Sequence, residues 1–517
     1  MSYIMYPEGV LGAKEKISVQ SYLFGHRIRP QQTCYEYLSE FLQVALAPKR
    51  VADTNNTEFC TDYFLISEET ARHAIEYRPV SNMGLKRFVF FNNSRLDTKA
   101  AVDRKAYQQC VEILSSCMET ENVSSVEKKD MISILQNILY GFSIENAGRS
   151  WFNKNLLPIC PEVLFPESLA RKRLRTNIDV EQKSYEIDSE FDFKSYTYMA
   201  RGGEVYYLHL LHAINYSDPS KKELLERQIN RLLQSIPQLS EISNFIQQEW
   251  VKGMEFDESD MKKSVVQKTM GAIPLDYAYR DKYTLSEMTN YLDNRIQPME
   301  KINILSEGIV LQLFRLMTTT AARNSNSAGS AWLIDVCNKN RREYDEIRKL
   351  SSRCFKMNEE SILKYIDIGI EHYLDEKIEE KEKDKKRNNA EKDTTKLIRK
   401  LGKSMGIIKP LNGADMRFTL SEDIIKFLVM SLIPAGSKVT FEYFLDMLYE
   451  HFEMIISPVH YERAVSEGKV IPQRNAAFLK TNQSDFAIKL KNCGLLRDLS
   501  DATAIVENPY ESEESCN

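Results

Sequence analysis

The chain has 517 residues, too many for a single hydrophobic core, so several domains are expected. An apolar content of 43% suits ordinary globular burial, while only 19 glycines disfavour a fold built on Gly-rich nucleotide loops and favour a mostly helical protein. A formal net charge of −5 excludes a whole-molecule field that would attract nucleic acid or an anionic membrane, so any such contact needs a local patch.

Residues 1–200 read as a mixed α+β domain. Thr33 stands three residues before Glu36, the spacing of a capping box, and Tyr37, Leu38, Phe41, Leu42 and Ala45 follow at helical spacing. Arg87 to Ser94 reads as a strand ending in a turn. Residues 98–118 and 126–140 read as amphipathic helices. Residues 150–200 are irregular and punctuated by Pro158, Pro161 and Pro166. They carry a dense basic cluster, Arg171, Lys172, Arg173 and Arg175.

Residues 201–372 read as a helical domain, with helices over Glu204 to Val251, Leu285 to Met317 and Ala331 to about Leu350. Residues 373–404 then carry 11 Lys and Arg and 8 Asp and Glu, with few large apolar residues. They are either a solvated helix or a mobile linker, and they mark the clearest domain boundary.

Residues 405–517 have the element order of a winged-helix module. Ser421 caps a helix with two acids in its first turn and with Ile424, Ile425, Phe427, Leu428 and Leu432 on one face. Pro434-Ala435-Gly436 stops it, and Thr440 caps a second helix that turns Phe444, Leu445, Leu448 and Phe452 inward. A third helix, Ser484 to Asn492, buries Phe486, Ile488 and Leu490 in part and presents Asp485, Lys489, Lys491 and Asn492 outward. Gly494 fits its stop, and Ser500-Asp501 turns a hairpin between two apolar runs. The module carries 11 Lys and Arg against 16 Asp and Glu. That balance suits protein contact better than duplex DNA. Candidate contacts to nucleic acid or to a partner are Arg171, Lys172, Arg173, Arg175, Lys489, Lys491, Asn492 and Arg497.

Catalytic patterns are sparse. Glu204, His209 and His212 share one helix, but a zinc helix needs histidines four apart with a Glu between them. The bland alternative is that Gly202-Gly203 starts a buried helix whose histidines bond locally. Gly402-Lys403-Ser404 resembles the end of a P-loop, but Leu397 stands where the first glycine belongs. Glu190, Asp192 and Lys194 come nearest to a nuclease strand, without a convincing second element. The basic cluster faces the same choice, since Glu181, Glu186, Asp188 and Glu190 follow it and can neutralise it. The nine cysteines form no CxxC pair and read as free thiols in a reducing cytosol. No signal peptide and no run of the ~20 apolar residues that span a bilayer is seen. The expected location is the cytoplasm, with no membrane partner and no cofactor.

Three segments carry a resemblance: Phe24-Gly25-His26-Arg27-Ile28-Arg29-Pro30-Gln31-Gln32-Thr33 with Glu36 to Leu42; Ala200-Arg201-Gly202-Gly203-Glu204; and Gly494 to Asp501 with Asn508-Pro509. Together they are similar to poorly characterised large proteins encoded in bacterial multi-gene antiphage defence islands. The resemblance implies a component of a multiprotein defence system whose partners are encoded in the same operon and supply the catalysis. It carries over no catalytic residue. The expectation is therefore a non-enzymatic adaptor that binds partner proteins and DNA. A metal-dependent effector nuclease with a site near Asp192 and Glu204, and a DNA-binding regulator, are the alternatives.

Overall fold

Residues 298–324 form a long helix that the rest of the protein encloses on nearly every side. From Lys301 to Ala322 nearly every side chain is buried. The computed structural model describes residues 4–8, 10, 18–25, 29–55, 57–80, 82–92, 101–118, 124–144, 151–165, 201–253, 267–327, 329–337, 343–374, 379–473, 476–500 and 503–514.

Sixteen α-helices occur among the described residues. The first five are α1 (Val19–Phe24), α2 (Cys34–Leu46), α3 (Met83–Phe90), α4 (Ala101–Cys117) and α5 (Ser125–Tyr140). The middle group is α6 (Gly202–Asn215), α7 (Pro219–Leu233), α8 (Pro237–Gly253), α9 (Asp281–Asp293), α10 (Pro298–Asn324), α11 (Glu343–Tyr373) and α12 (Glu380–Ser404). The last are α13 (Glu422–Leu432), α14 (Phe441–Phe452), α15 (Pro458–Ser466) and α16 (Leu479–Asn492). Strands are short and few: β1 (Met5–Tyr6), β2 (Lys49–Val51), β3 (Ile75–Tyr77), β4 (Lys268–Thr269), β5 (Ile273–Pro274), β6 (Trp332–Leu333), β7 (Ile408–Lys409) and β8 (Arg417–Phe418) precede a C-terminal set. That set is β9 (Lys438–Thr440), β10 (Met454–Ile455), β11 (Leu496–Ser500) and β12 (Thr503–Glu507). The protein is mainly α with small β elements. No helix among the described residues is long and apolar enough to cross a membrane.

Central helix α10 packs against α2, α11 and α13, so early, middle and late parts of the chain share one apolar core. Two glycines mark close approaches between helices. A Cβ at Gly308 of α10 would lie 2.1 Å from the Phe427 ring of α13. A Cβ at Gly203 would lie 2.3 Å from the backbone nitrogen of Phe41 and 2.4 Å from the carbonyl oxygen of Tyr37. Helix α6 therefore starts against the backbone of α2, as the Gly-Gly pair implies.

Caps fall where their chemistry puts them. Thr33 and Glu36 form the capping box of α2, with the Thr33 N–H donating to Glu36 Oε2 at 2.6 Å. The side chains of Ser421 and Thr440 cap α13 and α14 by accepting N–H bonds from Ile424 and Tyr443.

Three expectations need correction. The segment from Arg87 is not a strand: it belongs to helix α3, every residue of which is buried. A continuous apolar run does not separate a buried strand from a buried helix. Gly84 lets α3 approach α8 so closely that a Cβ there would meet the Trp250 ring at 2.4 Å. Ala331 to Leu350 is not one helix either. Trp332 and Leu333 form β6, which pairs in parallel with Met454 and Ile455, and the next described helix is α11, Glu343–Tyr373. A partner some 120 residues away overrides the local propensity. Finally, the helix expected from Ser484 begins at Leu479.

The charged segment resolves to helix from Glu380 onward. Ala390, Thr394, Leu397, Ile398 and Leu401 form its buried stripe. Two arginines fasten it to α11, Arg399 to Glu359 and Arg387 to Asp367.

In the C-terminal region α13, β9, α14, β10, α15, α16, β11 and β12 follow in that order. Strands β11, β12 and β9 make one antiparallel sheet with β12 in the middle, so the terminal hairpin closes on the strand before α14.

Gly203→Ala should destabilise by about 1–3 kcal/mol or more, because backbone cannot rotate away from the new methyl. Urea unfolding should show this loss, whereas Ser484→Ala on an exposed helix face should stay within about 0.5 kcal/mol of the parent.

Candidate contact surface of the C-terminal module

Helix α16 owes its orientation to alternating contacts. Leu479, Asn482, Phe486 and Leu490 are buried, spaced three or four apart. Asn482 is the polar anchor: its Nδ2 donates to the carbonyls of Ile334 and Ile456 at 2.9 and 3.0 Å. The Val336 N–H donates back to Asn482 Oδ1 at 3.1 Å. Lys480, Ser484, Ile488 and Lys491 are left as the exposed strip. Ile488, expected to be partly buried, is 56% exposed because it lies two residues from both Phe486 and Leu490 and faces away from them.

The predicted cations have partners. Lys491 pairs with Asp498 on β11, and Arg497 pairs with Glu507 on β12 at 3.0 Å. Both are surface pairs worth at most about 1 kcal/mol. Their electrostatic effect is larger than their energy: each cancels a charge that a phosphate would need. Lys489 donates to the Leu420 carbonyl, and burial lowers its pKa. Asn492 is exposed at the end of α16. Lys489, Lys491, Asn492 and Arg497 thus share one end of the module. Arg171, Lys172, Arg173 and Arg175 lie outside the described residues, as do Glu190, Asp192 and Lys194.

Glu204 and the two histidines are buried. Glu204 accepts from the Tyr77 hydroxyl at 2.9 Å and from the Gly271 N–H at 2.7 Å. Glu40 of α2 accepts from the Arg201 and Gly203 N–H groups at 2.6 and 2.7 Å, satisfying donors at the start of α6. Burial, then the neighbouring Glu204, push the Glu40 carboxyl up to about 8, and the two backbone bonds only partly oppose this. His212 Nδ1 lies 2.7 Å from Asp281 Oδ2, and His209 Nε2 lies 2.9 Å from Thr284 Oγ1. Burial, then Arg280 and His212, bring the His209 pKa down to about 3, so this ring is neutral. Among the described residues, no group of three or more His, Cys, Asp or Glu side chains is placed to hold a metal ion. Glu204, His209 and His212 thus fix helix α6 against β3 and α9, and Glu40 fixes its start against α2.

One constellation resembles a hydrolase triad. Ser457 Oγ is 2.6 Å from His460 Nδ1, and His460 Nε2 is 2.9 Å from Asp446 Oδ1. Its exposure is inverted. Ser457 is 2% exposed, whereas the Asp446 side chain is 51% exposed. A nucleophile must be reachable and its orienting acid sheltered. Ser457 is instead the cap of α15, accepting the His460 N–H at 3.4 Å.

Sequence reasoning missed the buried ionic braces that hold this module to the helices before it. Arg280 sends Nη2 to both oxygens of Glu287 at 3.0 and 2.8 Å and Nη1 to the His451 carbonyl. Glu287 also accepts from Gln312 at 2.6 Å and lies 2.9 Å from His451 Nδ1. Arg315 pairs with Glu453 at 2.5 Å, and Lys469 closes on the other Glu453 oxygen at 2.8 Å. Burial would raise the Glu453 pKa, but Arg315 and Lys469 together outweigh it and hold the carboxyl below its ordinary value. Only the seven-residue spacing of Arg280 and Glu287 was visible locally; the other partners are remote in sequence.

Glu287→Ala should cost about 3–5 kcal/mol in urea unfolding, because it strands the buried Arg280 guanidinium. The Glu40 shift predicts a pH effect of definite sign. Between its ordinary value of 4.5 and about 8 the folded state holds a proton that the unfolded state has lost. Stability should therefore fall as pH rises through that window, and Glu40→Gln should remove this part of the slope. No protein-family model and no curated protein matches the chain.

Proposed function

We propose that the chain is a non-enzymatic adaptor subunit of a bacterial multiprotein antiphage defence complex. Its helices form the scaffold, and the winged-helix-like region 405–517 grips a partner protein encoded in the same operon. The order α13, β9, α14, with α16 and a hairpin that closes on β9 following after β10 and α15, supports the winged-helix reading. In that reading α16 is the outward helix.

The observation that carries protein contact over DNA contact is the surface of α16. Duplex binding is dominated by cations that displace counterions from phosphates. Here Lys491 and Arg497 are matched by Asp498 and Glu507, and Lys489 is spent on a carbonyl. The exposed strip instead centres on Ile488. An exposed aliphatic side chain rimmed by paired charges fits the apolar centre and polar rim of a protein interface. The buried Glu204, held by Tyr77 and Gly271, weighs against a nuclease site there.

Co-expression of the chain with the neighbouring gene products should recover a stable complex. Ile488→Asp should weaken it at least about tenfold while leaving the melting transition in place. Duplex DNA should bind only in the non-specific range, a Kd of about 10⁻⁴–10⁻⁶ M at physiological salt. Nanomolar DNA binding that survives Ile488→Asp would refute the proposal. So would Mg²⁺- or Mn²⁺-dependent nuclease activity abolished by Glu204→Gln in a folded protein.

A further inference from the structure

The ionic braces between α9, α10 and the C-terminal module do not fill the space around them. A cavity of about 480 Å³ remains there, lined by the segment from Tyr279 to Tyr283, the C-terminal part of α10, the end of α14, and α15 with Lys469. Its size falls in the range of small-molecule sites, roughly 300–1,000 Å³.

Six cations line it: Arg280, Lys282, Arg315, Arg323, Arg463 and Lys469. Four carboxylates answer them. Glu287 holds Arg280, Glu453 holds Arg315 and Lys469, Glu467 holds Arg463 and Lys469, and Glu450 lies 3.5 Å from Arg463. Two positive charges are left in excess, and the pairing locates them. Among the described residues, Lys282 and Arg323 make no ion pair. Each lies on an aromatic ring, Lys282 4.5 Å from the centroid of Tyr283 and Arg323 4.2 Å from that of Tyr279. Both are exposed, so a ligand can reach them.

The wall is prepared in two further ways. Arg280 and Arg315 are each 1% exposed, and the Nε–H of each has no hydrogen-bond acceptor among the described residues. Buried guanidinium donors normally find acceptors, so these are unused capacity beside the cavity. Tyr283 also lies against the His451 ring, with centroids 4.2 Å apart and planes tilted by 40°, and both rings line the cavity, an aromatic wall against which a heteroaromatic base can pack.

We propose that this cleft binds a nucleotide, with its phosphates at Lys282 and Arg323 and its base against Tyr283 and His451. Two excess cations match a phosphate dianion, and a guanidinium donates to two phosphate oxygens at once. A bare inorganic anion would use the charges and leave the ring patch idle. The site is separate from the exposed face of α16, so it stands whether or not that face grips a partner.

The test is calorimetric titration of the full chain with ATP, GTP, adenosine and inorganic pyrophosphate. ATP or GTP should bind with a Kd between about 1 μM and 1 mM. Pyrophosphate and adenosine should each bind at least about tenfold more weakly, since each supplies only half of the contacts. The double variant Lys282→Glu/Arg323→Glu should weaken nucleotide binding at least about tenfold. Both positions are exposed, so its circular dichroism and melting should match the parent. Absence of binding by ATP and GTP at about 1 mM overturns the proposal. So does pyrophosphate binding as tightly as ATP, or a folded double variant that binds as well as the parent. If the double variant does not fold, Lys282→Ala and Arg323→Ala tested singly decide in the same way.

Discussion

The buried pair between Arg315 and Glu453 is the constraint on which the two ends of this molecule depend. Arg315 leaves the central helix in a place with almost no access to water, where an isolated charge would be costly. Its partner sits at the end of α14 in a left-handed backbone conformation, φ 50°, which a non-glycine residue adopts only when its surroundings insist. The same residue uses its carbonyl to accept the Trp332 N–H at 2.9 Å, which begins the β6–β10 pairing. One side chain and one peptide group of Glu453 therefore set the position of α14 against α10 and of β10 against β6. Swapping such a pair for apolar groups can be neutral in stability, so its contribution is better understood as choosing one docking geometry.

Around that pair the molecule resolves its charges in two ways. Buried arginines take carboxylates and carbonyls from distant segments, and aromatic rings cover what remains. Arg315 lies over Trp332 and Arg280 over Phe452, at 4.7 Å in each case. Lys491 of α16 and Arg497 of its hairpin take nearby acids instead. These outer pairs do little for stability, but they strip the module of the field a nucleic acid would follow. The C-terminal tail obeys the same rule. Glu513 meets the buried Lys301 at 2.8 Å and Glu514 meets Arg231 at 3.1 Å, which ties the last described residues to α7 and α10.

The mainly helical class and the position of most helices were legible because both rest on local signals. Apolar residues at helical spacing mark α2, α4, α5, α13 and α14, and caps at Thr33, Ser421 and Thr440 mark where three of them begin. The Gly202-Gly203 pair marked the start of a buried helix, and the structure shows that this start lies against α2. The failures share one cause. Residues 88–91 and 331–333 are wholly buried apolar runs, and such runs carry no period that separates strand from helix. Of the candidate site, the cations of α16 and the hairpin were legible as residues, but their pairing with Asp498 and Glu507 was not.

By itself the sequence determined where chains of helix start and stop, which faces turn inward, and the acidic balance of the last hundred residues. These follow from side-chain spacing, caps and composition, all of which act over a few residues. Only the tertiary structure decided that Glu204, His209 and His212 are braces, that Ile488 faces out, and that Arg280 and Arg315 meet Glu287 and Glu453 beside an open cavity. Those outcomes depend on segments up to 138 residues apart being brought to within hydrogen-bonding distance, and no local pattern encodes such a meeting.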